Sequence, residues 1–76
     1  MTTLVIVRTD DAHRQAEALR AALGLTLRGA RVEVVVGVLQ TSLARRAAET
    51  LTAFGHAVGV ELADGLTRAD VVEVWT

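Results

Sequence analysis

Three short stretches carry the side chains that could do chemistry. The first is Asp10-Asp11 with His13 two residues on. A carboxylate beside an imidazole is a general acid/base pair. The same aspartates also suit a helix N-cap, where a carboxylate accepts backbone N–H bonds and meets the positive end of the helix dipole. The second is Thr41-Ser42, two hydroxyls at an expected helix start. Hydroxyls and free N–H groups there can hold an anion, or can simply cap the helix. The third is Asp64, within the turn-like Ala63-Asp64-Gly65. The candidate ligand-binding set is therefore Asp10, His13, Thr41, Ser42 and Asp64, and no catalytic set is assigned.

What is missing narrows the chemistry. There is no cysteine, and only His13 and His56 could give a metal nitrogen ligands. A structural zinc site wants four ligands at set spacing, so no metal is expected. No glycine-rich loop accompanies either helix start, so no phosphate cradle, no dinucleotide fingerprint and no cofactor are expected. The only nucleophiles are Ser and Thr hydroxyls without a placed base, which weighs against an enzyme. His56 follows Gly55 and reads as a surface residue near a helix end. Trp75 reads either as a core plug or as an interface anchor.

The elements that would position these residues follow from hydrophobic spacing. Thr3 to Thr9 contains the unbroken apolar run Leu4 to Val7, which suits a strand covered on both faces. Asp10 or Asp11 then caps a helix whose Ala12, Ala16, Leu19, Leu23 and Leu27 are spaced 4, 3, 4 and 4 along one face. Ala18, Ala21, Ala22 and Leu25 widen its apolar surface beyond what one sheet covers. This predicts a subunit contact through Ala18, Ala22 and Leu25, with Trp75 as a further anchor. Arg14, Gln15, Glu17, Arg20 and Arg28 form the wet side. Gly24 inside the helix reads as close backbone packing or as a small-residue subunit contact. Gly29 ends the helix.

Arg31 to Leu39 is the most strand-like segment and is expected at the centre of the sheet. A helix from about Leu43 to Phe54 follows and is closed by Gly55. Ala57 to Leu62 is a shorter strand, Ala63 to Gly65 a turn, and Thr67 to Asp70 a capping box that starts a helical turn or a very short helix. Val71 to Trp75 is a strand or an extended tail. The order is β-α-β-α-β-turn-β. Strands joined through helices pair in parallel by right-handed crossovers. The expected class is α/β, a small parallel sheet with helices packed on it, in one domain spanning residues 1–76. A split βαβ arrangement ranks second, because a helix rather than a hairpin follows the second strand.

Bulk properties bound the partners. The chain has 76 residues, 51% of them hydrophobic. A chain that short buries a modest core and commonly needs disulfides, metal or oligomerisation. Oligomerisation is the support that remains. Net charge is −1, the only bases are arginines, and aromatics are 3%. This argues against nucleic acid, which wants clustered positive charge and stacking platforms. Apolar runs such as Val34 to Leu39 are far short of the roughly 20 residues of a membrane span. The opening MTTLVIVRTDD has no basic region or cleavage site of a signal peptide, so the expected compartment is the cytoplasm.

Two stretches resemble the DsrE/DsrF-like (sulfur-relay) family. One is TLVIVRTDD leading into ALRAALGLTLRGARVEVVV. The other is Gly65-Leu66-Thr67 with Ala69-Asp70-Val71-Val72, similar to that family's closing segment. The resemblance implies a small flavodoxin-like α/β fold in dimers, trimers or hexamers, and cytoplasmic proteins that pass persulfide sulfur to sulfur-transfer partners. The family's sulfur-carrying cysteine tends to fall just before the closing Gly-Leu. Here that region is Glu61-Leu62-Ala63-Asp64. Persulfide chemistry needs a thiolate. The resemblance therefore implies a non-catalytic structural or regulatory subunit.

Overall fold

The computed structural model describes residues 1–76. Four strands form one sheet: β1 (Thr2–Val7), β2 (Arg31–Val35), β3 (Ala57–Val58) and β4 (Val71–Trp75). Three helices join them in turn: α1 (Ala12–Thr26), α2 (Ser42–Ala53) and α3 (Leu62–Arg68). The sheet order is β3-β2-β1-β4 and every pairing is parallel. The α/β class and the parallel sheet are as expected, and the split βαβ alternative is excluded. The central strands are β2 and β1 together, with β1 bonded on both sides.

The run Leu4 to Val7 is buried on both faces, which is why it does not alternate. Val5 and Val7, with Val32 and Val34 beside them, face α1 and α2 and pack on Ala18, Leu19, Ala22, Ala47, Ala48 and Leu51. Leu4 faces the other way, toward α3. The molecule is thus three layers: α1 and α2, the sheet, and α3.

Asp11, not Asp10, caps α1: its Oδ1 accepts the Arg14 N–H at 3.0 Å. Thr41 caps α2 by accepting the Ala44 N–H at 3.0 Å. Gly29 and Gly55 follow the helix ends with φ of +82° and +86°, conformations that an L side chain rarely adopts.

Several expectations are corrected. Ala18 and Ala22 have no exposed surface, so they offer nothing to a second subunit. The second apolar flank of α1 packs on α2 of the same chain, which supplies the missing cover. Leu25 is half-buried against that same core, and so is Trp75, in keeping with the core-plug alternative open for it. Gly24 is not a close-packing glycine within the chain, since an added Cβ would meet nothing within 4 Å.

β2 stops at Val35 rather than Leu39, and β3 is only Ala57–Val58. The supposed turn at Ala63 to Gly65 is the body of α3. Its central Gly65 lies so close to β1 that a Cβ there would sit 2.8 Å from Leu4 Cδ1. Thr67 lies inside that helix instead of capping one, and its hydroxyl donates to the Asp64 carbonyl at 2.7 Å. Asp70 fastens β4 beside β1: its Oδ2 accepts the Thr2 N–H at 2.8 Å.

Candidate functional site

In an open parallel sheet, ligands bind outside the carboxyl ends of the strands, where the strand order reverses. Here the chain runs from β1 to β2 to β3 on one side and returns to β4 on the other. The reversal lies between the ends of β1 and β4. Arg8 and Thr9 follow β1, and Trp75 ends β4. The Arg8 N–H donates to the Trp75 carbonyl at 2.8 Å. From the first turn of α1, the Arg14 guanidinium lies over the Trp75 ring, 4.9 Å from its centre. Its Nε donates to the Thr76 carbonyl at 2.8 Å. A cation over the indole face is favoured by the ring quadrupole. One arginine is thus held in place at the crevice, and the exposed Arg8 follows β1 at the same end of the sheet.

The loop after β2 is tied to this end by Gln15. Its Nε2 donates to the Val38 carbonyl and its Oε1 accepts the Gln40 N–H, both at 2.9 Å. Gln15 is only 3% exposed, which corrects its assignment to the wet side of α1. Gln40 in turn donates from Nε2 to the Asp10 carbonyl at 3.4 Å.

The five candidate ligand residues do not converge. Asp10 is exposed, and its side chain makes no bond to the others. His13 is also exposed, with Nε2 3.4 Å from Glu17 Oε1 one helical turn on. Thr41 spends its hydroxyl on the cap, and Ser42 is the exposed first residue of α2. Asp64 belongs to α3, the layer on the opposite side of the sheet from α1 and α2. No group of three or more His, Asp or Glu side chains is placed to hold a metal. The largest depression, about 650 Å³, lies elsewhere, between α2 and β3. Ala48, Ala53 and Val58 line it, with charge only from Arg45 and Glu49.

Two polar residues of β2 and its neighbour do more than their sequence context suggests. Glu33 is 2% exposed on the α3 face of the sheet. The Arg68 Nε reaches both carboxylate oxygens at 3.0 Å and its Nη2 reaches Oε1 at 2.9 Å. Arg31 Nε stands 3.6 Å from Oε2. The Arg68 hydrogen bonds hold the Glu33 carboxyl below the usual carboxylate range, against the upward push of burial. The same pairing raises Arg68. His56, expected at the surface, is half-buried, and its Nδ1 accepts the Val32 N–H at 3.0 Å. Its imidazole thus serves the backbone of β2. A buried Glu inside a Val-rich strand was the one available signal for the first of these; nothing local marks the second.

No helix is long and apolar enough to cross a membrane. Comparison with protein-family models, with curated proteins and with solved structures finds no match to this chain.

Proposed function

We propose that this chain works by association rather than catalysis, as a non-catalytic subunit or docking domain of an oligomeric assembly. The observation that carries the reading is the state of β4. Its inner edge pairs with β1, while its outer edge has no strand partner. By register, Val72 and Val74 lie beside Leu4 and Ile6, yet they are 45% and 55% exposed where Leu4 and Ile6 are buried. A free strand edge flanked by exposed valines is a template for another chain. The candidate chemical groups, by contrast, are spent on caps or scattered. The resemblance to DsrE/DsrF-like proteins suggests the setting, a sulfur-relay type assembly in the cytoplasm with sulfur-transfer proteins as partners. Without a thiol, the role there is structural or regulatory.

Light scattering behind a sizing column tests this. A dimer, trimer or hexamer of the 8.1 kDa chain is expected at micromolar concentration. Val74→Glu should return it to a monomer with an unchanged far-ultraviolet spectrum. A wild-type monomer at all accessible concentrations overturns the reading.

A second reading is favoured by the reversal of strand order between β1 and β4: a small anionic ligand held at Arg8 and Arg14. Inorganic phosphate or a nucleotide should then raise the melting temperature, and Arg8→Ala should abolish the rise.

A further inference from the structure

α1 buries five residues and α2 four, but α3 buries only Gly65. Leu62 and Leu66 of α3 remain 46% and 48% exposed. The helix has seven residues and no side-chain hydrogen bond at its Glu61 cap. A helix so short has no stability of its own. Its contacts with the sheet include Gly65 seated on Leu4 and the Arg68 fork closed on Glu33. What it covers is far better buried than the cover itself, with Leu4 at 0% and Glu33 at 2% exposure.

Both ends of the segment are fixed to the sheet independently of α3. Before it, the N–H groups of Gly59 and Val60 donate to the Val34 carbonyl at 2.8 and 3.1 Å. After it, Asp70 is bonded to Thr2 through both its carboxylate and its N–H, each at 2.8 Å. β4 therefore keeps its place beside β1 whether α3 is seated or not.

We infer that α3 is a flap latched by Arg68 on Glu33: residues 61–69 open as a unit while the four strands, α1 and α2 stay folded. Opening uncovers Leu4 and Glu33, and joins the α3 face of β1 to the exposed valines of β4. The inference concerns a single chain and does not depend on the association reading. Sub-global opening of this kind is the normal behaviour of weakly packed elements.

The lack of cysteine allows a direct test. Leu4→Cys and Val5→Cys place single thiols on neighbouring residues of β1 that face opposite layers. An aromatic disulfide reagent should label the Leu4→Cys thiol at least about tenfold faster than the Val5→Cys thiol. Adding Arg68→Gln should speed the first by about tenfold and leave the second unchanged. In the unaltered chain, the amides of Gly65 and Ala69 should exchange at least about tenfold faster than those of β1. Equal labelling at both positions, or an equal acceleration of both by Arg68→Gln, overturns the flap. If Leu4→Cys does not fold, uniform exchange protection across α3 and β1 overturns it alone.

Discussion

Replacing Gln15 isolates the tie between α1 and the loop after β2. Gln15→Met keeps the length and apolar stem of the side chain but removes one donor and one acceptor. The Val38 carbonyl and the Gln40 N–H then lose partners at 2.9 Å in a part-buried site. A net contribution of about 1 kcal/mol per neutral hydrogen bond gives about 2 kcal/mol of destabilisation. For a domain of this size that is a drop of roughly 8–16 °C in melting temperature. Gln15→Glu is the sharper probe. The introduced carboxylate can still accept from Gln40, but it sets an oxygen against the Val38 carbonyl oxygen. Two acceptors face each other until a proton joins them, so folding raises the affinity of that carboxyl for a proton. A group raised in the folded state favours folding at low pH, and that advantage fades as pH rises. The gap between Gln15→Glu and wild type should therefore narrow from pH 7 to pH 4 in urea melts followed by circular dichroism, while the Gln15→Met gap stays constant. A Gln15→Met variant within about 0.5 kcal/mol of wild type would refute the reasoning, because water would then replace both bonds.

Other consequences are open to the same assay. Glu33 is held below the usual carboxylate range chiefly by the Arg68 hydrogen bonds. A depressed carboxyl contributes stability that is present above its unfolded value and lost as pH falls toward its folded one. The urea midpoint should thus fall on acidification below about pH 5, and Glu33→Gln should flatten that slope. His56→Ala leaves the Val32 N–H without its acceptor and should cost about 1–2 kcal/mol by chemical denaturation. Gly24→Ala meets open space in a helix interior and should stabilise by about 1 kcal/mol. Gly65→Ala brings the same helix preference but presses a Cβ onto the fully buried Leu4, and it should destabilise by about 1 kcal/mol once overpacking is set against it.

The elements most legible in the sequence are those whose own residues decide them. The unbroken run Leu4 to Val7, the spacing of α1 and the valines of β2 all state a burial pattern locally. α3 does not. Ala63-Asp64-Gly65 carries the composition of a turn, and the glycine is there because Leu4 is directly beneath it, sixty-one residues away in the chain. The broad apolar flank of α1 was legible as needing cover, but nothing in a helix says whether the cover is α2 or another subunit. Gln15 and His56 look like surface residues because their partners are backbone atoms of distant segments, Val38, Gln40 and Val32. The candidate ligand residues do not converge for a related reason. Asp11 and Thr41 sit where topology requires, but each side chain is already used by its own helix.

The pairing of β1 with β4 also sets the order in which the chain can assemble. Thr2 and Asp70 are bonded across a separation of 68 residues, nearly the whole chain. β1, α1 and β2 can form with much shorter loops, and α2 with β3 extends them by the next connection. Closing the longest loop carries the largest entropic cost and is rewarded only when the inner strands already stand as a template. β4 therefore docks late. Until it does, β1 is itself an open edge carrying the most apolar run in the molecule, so a chain stalled before residue 71 is the species most exposed to aggregation.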